Sequence, residues 1–82
     1  MIETLGYLAG VITVVAFLPQ VMRAWRTRQT RDLSLMGIAL LVAAGSLWIL
    51  YGAMIGDWPI VATNCGMVAL NVALAVAKVR YS

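Results

Sequence analysis

Three uncharged stretches, Thr4 to Met22, Leu33 to Gly56 and Trp58 to Ala77, account for most of the chain and constrain it more than any motif does. Each is near the roughly 20 residues that carry an α-helix across about 30 Å of hydrocarbon. Of the 82 residues, 63% are hydrophobic and 11% charged, against about 25% charged in ordinary soluble domains. A soluble chain this short cannot hide so much apolar surface, because even a domain of about 60 residues buries only about 60% of what it exposes unfolded. The expected fold class is an all-α membrane protein: one three-helix transmembrane domain with spans at about 4–22, 33–56 and 58–77.

The connections are short. Arg23 to Asp32 joins the first two spans and carries four arginines, with Asp32 placed to cap the second helix. Gly56-Asp57-Trp58-Pro59 joins the last two; the glycine can end one helix and the proline can start the next, which gives a tight antiparallel reversal. The positive-inside rule puts the 23–32 connection and the Lys78/Arg80 end in the cytoplasm and the N-terminus outside, as expected for a multi-pass protein of a bacterial inner membrane. The net charge of +3 therefore reflects membrane orientation rather than a nucleic-acid partner. The first span lacks a basic leader and carries Glu3 at its start, so it reads as a retained helix rather than a secretory signal. Trp25, Trp58 and Tyr81 fall near span ends, where aromatic rings anchor at the headgroups. Cys65 sits in an apolar run as a small packing residue and has no second cysteine to pair with.

Polar and special residues within the spans carry what function the residues reveal. Gly6, Gly10, Thr13, Phe17 and Gln20 share one face of the first helix; close packing through the glycines and a pathway-facing stripe are both open, and they can coexist. Pro19 leaves the carbonyl of Val15 without its helical donor, so a kink or hinge is expected beside Gln20. Trp48 and Asn64 each lie roughly 10 Å below the outer end of their helices. An aromatic face beside a carboxamide suits a neutral polyhydroxyl ligand, whereas an amide that merely ties two helices is the structural alternative for Asn64. Asn71 follows two turns further in. Tyr51 and Asp57 stand where they can close an outer mouth, or act as an interfacial tyrosine and a turn aspartate.

No Asp, Glu, His, Lys or Arg lies within any span, which argues against ion coupling. There is no histidine, no cluster of metal ligands, no phosphate loop and no nucleophile with a base, so neither an enzyme nor a resident cofactor is expected.

The ordered set Phe17-Leu18-Pro19-Gln20-Val21, Gln29-Thr30-Arg31-Asp32-Leu33-Ser34, Leu47-Trp48 with Tyr51-Gly52, Asp57-Trp58-Pro59-Ile60 and Ala62-Thr63-Asn64 resembles the SemiSWEETs of the PQ-loop superfamily over nearly the whole chain. The resemblance implies a half-transporter that pairs in parallel with an identical copy around one sugar path and moves a mono- or disaccharide down its gradient in either direction by alternating access. It implies Trp48 and Asn64 as the substrate-binding pair, Pro19 and Gln20 as the hinge, Tyr51 and Asp57 as the outer gate and Phe17 as an inner-gate aromatic, with Thr13 and Asn71 as further pathway candidates. Some relatives carry a basic residue near the end of the second helix; Ile55 here leaves the outer gate to hydrogen bonding from Tyr51. Transport of another small solute such as an amino acid, or a structural role in a membrane assembly, are the alternatives.

Overall fold

A computed structural model describes residues 2–81 as three helices, α1 (Ile2–Thr27), α2 (Leu35–Ile55) and α3 (Trp58–Tyr81). All three are long and apolar enough to cross a membrane. α1 runs beyond the apolar stretch through Arg23 and Arg26, since a helix need not stop where the hydrocarbon does. It remains helical through Pro19 and ends at Arg28, whose φ of 57° is left-handed.

Ser34, rather than Asp32, caps α2: its Oγ accepts from the Gly37 N–H at 3.0 Å. A hydroxyl at the residue directly before the helix reaches the free amide donors, whereas Asp32 lies two residues too early. The other end of α2 closes as expected. Gly56 adopts φ 73°, ψ 23°, its N–H donates to the Ala53 carbonyl, and the Asp57 N–H donates to the Gly52 carbonyl at 2.8 Å. This paired return to the last turn is the Schellman arrangement, and it needs a residue free to go left-handed. Pro59 follows in the first turn of α3, where its missing N–H costs nothing.

The spatial order differs from the chain order. α1 and α2 each pack along α3, and no Cα of α1 lies within 8 Å of a Cα of α2. The α1–α3 pair is parallel and in register: a Cβ at Gly6 would lie 2.9 Å from Pro59 Cβ, and one at Gly10 would collide with the Thr63 hydroxyl four residues further along. The two glycines therefore serve close packing. The α2–α3 pair is antiparallel, with Gly45 against Val68 and Gly52 against Ile60 and Val61. The result is a bent row of helices with α3 in the middle, measuring 42 × 21 × 14 Å between Cα extremes.

This row has almost no interior. Val21, Ala24, Ile38, Leu74 and Ala77 are its buried hydrophobic residues, and Leu5, Leu8, Ile12, Leu47, Met54 and many like them are exposed. Lipid or another protein must cover them, because at about 25 cal/mol per Å² their exposure to water would be prohibitive. Trp25, near the end of α1, lies half-buried: its indole donates to the Ala73 carbonyl at 3.1 Å and its ring meets Tyr81 edge-on. Cys65, expected as a packing residue, is exposed.

Candidate functional site

The N-terminal halves of α1 and α3, with the 55–57 reversal, form a groove of about 560 Å³ that includes Thr13, Asn64 and Asp57. Gly6 and Gly10 let the helices approach closely at its floor, which leaves the remaining polar groups at its edges. Thr13 is exposed, and its hydroxyl is spent on the Ala9 carbonyl of the preceding turn at 2.8 Å. It keeps an oxygen lone pair for a ligand.

Asn64 is half-buried and donates through Nδ2 to the Ile60 carbonyl at 2.8 Å. That bond fixes the amide plane and points Oδ1 toward α2, where it lies 3.9 Å from the place a Cβ would occupy at Gly45. Trp48 stands one turn further along α2 from this glycine, so the amide and the indole occupy neighbouring levels of two packed helices. Trp48 is 52% exposed and meets the Tyr51 ring edge-on, with centroids 5.7 Å apart and an interplanar angle of 84°. Its open surface lies outside the Asn64 groove, whose lining includes neither Trp48 nor Tyr51.

The remaining candidates scatter along the row. Asp57 caps α3, with Oδ1 accepting from the Ile60 N–H at 3.3 Å, and among the described residues no bond joins it to Tyr51. Phe17 is half-buried and packs on the cluster of Val21, Ala24, Ile38 and Leu74. Pro19 and Gln20 are exposed on the C-terminal half of α1. Asn71 is 3% exposed within the chain; its Nδ2 donates to the Met67 carbonyl at 2.9 Å, while Oδ1 has no partner. The polar seam of α3 thus divides, with Asn64 at a groove and Asn71 inside the packing.

Some structural roles went unread in the sequence. Gly45 and Gly52, two turns apart on α2, are the contact face of that helix, and their seven-residue spacing was the available signal. Thr30 is buried in the linker, where Lys78 Nζ donates to its carbonyl at 2.9 Å. Nothing local marks it for burial.

Residues 1–61 match the PQ loop repeat family. The sugar transporter SemiSWEET of Bradyrhizobium diazoefficiens is 36% identical over 81 residues, an overlap that covers 99% of this chain and 94% of that one. The chain belongs to the SemiSWEET family of PQ-loop proteins. A second SemiSWEET sugar transporter, from Leptospira biflexa, is 41% identical over 64 residues, covering 78% of this chain and 75% of its own. The crystal structure of a bacterial homologue of SWEET transporters superimposes with a TM-score of 0.92 at 30% identity, over 98% of this chain and 96% of the other. The three-helix row is therefore the SemiSWEET fold, and the relatives that share it by name are transporters rather than enzymes.

Proposed function

We propose that two copies of this chain pair in parallel and conduct a neutral mono- or disaccharide down its gradient in either direction. The observation that carries this reading is the near full-length match to a SemiSWEET named as a sugar transporter. The near absence of an interior supports the pairing: one copy, with so few buried side chains, cannot surround a solute, whereas two copies facing each other can.

In the assembled pair, Trp48 offers an aromatic face to the C–H surface of a sugar. Asn64 offers the remaining Nδ2 hydrogen and the Oδ1 lone pairs to its hydroxyls. Both are contributed twice. Tyr51 and Asp57 close the outer end and Phe17 the inner. The Val15 carbonyl, released from its helical bond by Pro19, lets the inner half of α1 pivot beside Gln20, and Thr13 faces the route between, whereas the buried Asn71 stays within the packing of each copy. The absence of ionised side chains from the spans favours uniport by alternating access over coupling to protons. The arginine-bearing end faces the cytoplasm of a bacterial inner membrane and the N-terminus faces outward.

Uptake of labelled sugars into proteoliposomes containing the purified protein alone tests this reading. Trp48→Ala and Asn64→Ala should each abolish saturable uptake while the protein still assembles; normal flux and binding in both would discard the site. The Asn64 Nδ2 bond to its own helix favours one other reading, in which the amide only shapes α3 within a structural subunit. That reading requires no solute flux from the protein alone. Competition by amino acids and not by sugars would change the cargo and keep the fold.

A further inference from the structure

The arginine-bearing end of the molecule holds a second groove, of about 880 Å³, enclosed by the end of α1, the 28–34 linker and the end of α3. Arg23, Arg28, Arg31 and Lys78 line it, with one carboxylate, Asp32, and the hydroxyl-bearing Thr30. The only other acidic side chains of the sequence, Glu3 and Asp57, line the groove at the opposite end. Among the described residues, Asp32 is the one acidic side chain placed to balance these cations.

Thr30 supplies an independent indication. It is 2% exposed, and its Oγ1 has no hydrogen-bond partner. The same residue's carbonyl is doubly used, by the Leu33 N–H at 3.0 Å and by Lys78 Nζ at 2.9 Å, so the backbone is held firmly while the hydroxyl goes unmet. A buried hydroxyl left unsatisfied forfeits the hydrogen bonds it would make to water. Guanidinium forks, an ammonium and a hydroxyl donor around one cavity fit an oxyanion with several acceptor oxygens, and phosphate offers more of them than a carboxylate.

We propose that this groove is a binding site for a phosphate group, with Arg28, Arg31 and Lys78 meeting its charge and Thr30 Oγ1, which turns out of its buried position, donating to one of its oxygens. Lysine keeps two N–H donors after its bond to the Thr30 carbonyl. Arg28 lies with its guanidinium carbon 5.7 Å from the centroid of the Tyr81 ring, which holds the fork near the cavity without using its hydrogen bonds. The chemistry is common to the headgroup of an anionic lipid and to free phosphate. The site stands apart from the sugar reading and does not depend on it.

The unfolding midpoint of the purified protein in a neutral maltoside detergent reads the binding directly, because a ligand of the folded state raises it. Dihexanoyl phosphatidylglycerol, dihexanoyl phosphatidylcholine, inorganic phosphate and chloride are compared at equal ionic strength. A saturable rise with phosphatidylglycerol alone assigns the lipid headgroup, and one with inorganic phosphate assigns the free anion. Thr30→Val, which keeps the volume and removes the hydroxyl, should raise the half-saturating concentration about threefold or more, and Thr30→Ser should restore it. Arg28→Gln with Arg31→Gln should raise it about tenfold or more. The proposal is overturned if neither phosphate source raises the midpoint, if chloride or phosphatidylcholine raises it equally, or if Thr30→Val binds as tightly as the parent.

Discussion

The indole N–H of Trp25 reaches the backbone carbonyl of Ala73 at 3.1 Å, joining the last turns of α1 to the middle of α3. The same ring stands edge-on to Tyr81 at 5.6 Å. Trp25→Phe retains most of the ring contact and loses the donor, so it should cost about 0.6 to 2 kcal/mol, the range of side-chain hydrogen bonds between membrane helices. A lowered unfolding midpoint in detergent is the expected result. An unchanged midpoint would mean that Trp25 acts only at the headgroups.

The parallel register of α1 on α3 depends on the absence of a side chain at Gly10, which faces Thr63. Gly10→Val should destabilise the fold by about 1–3 kcal/mol, the usual cost of overpacking a tight contact. Gly37→Ala is the matched control, since a Cβ there meets only Ser34 at 3.4 Å and gains helix propensity. If both variants unfold at the same midpoint, the close approach at Gly10 is not what holds the pair.

At Gly56 the cost is conformational rather than steric, because nothing lies within 4 Å of where its Cβ would be, yet φ is 73°. Gly56→Ala should destabilise by about 1–2 kcal/mol. Gly56→Asn should recover part of that, since asparagine tolerates the left-handed region. Equal midpoints for all three residues would contradict the observed cap.

Uptake driven by a sugar gradient should be unaffected by a protonophore or by an imposed pH difference, because no Asp, Glu, His, Lys or Arg lies within the apolar spans. Collapse of concentrative uptake on adding the protonophore would require a proton-binding group that the uniport reading lacks.

Features encoded by local chemistry were legible in the sequence. The three spans follow from uncharged length, and the Gly56–Pro59 reversal follows from which residues tolerate a left-handed φ or a missing N–H. The α2 start was misassigned by two residues because Asp32 and Ser34 are both competent caps, and only backbone geometry chooses between them. The spatial order of helices was not legible, because helices that are apolar all round show no single contact face by hydropathy. In a lipid solvent the contact faces are marked instead by small residues, and Gly45 and Gly52 carried that mark unnoticed. For the candidate site, the depths of Trp48 and Asn64 could be counted along each helix. Their relation through Gly45, and the different sides of Asn64 and Asn71, needed the packing itself.

The placement of α3 between α1 and α2 also has a consequence for biosynthesis. A ribosome delivers the two outer helices first, and in the finished row no Cα of one lies within 8 Å of a Cα of the other. They must wait in the bilayer as separate spans until the helix that joins them is made. Assembly of the row is therefore post-insertional, and a chain stalled before Trp58 leaves two unpaired helices for quality-control proteases to find.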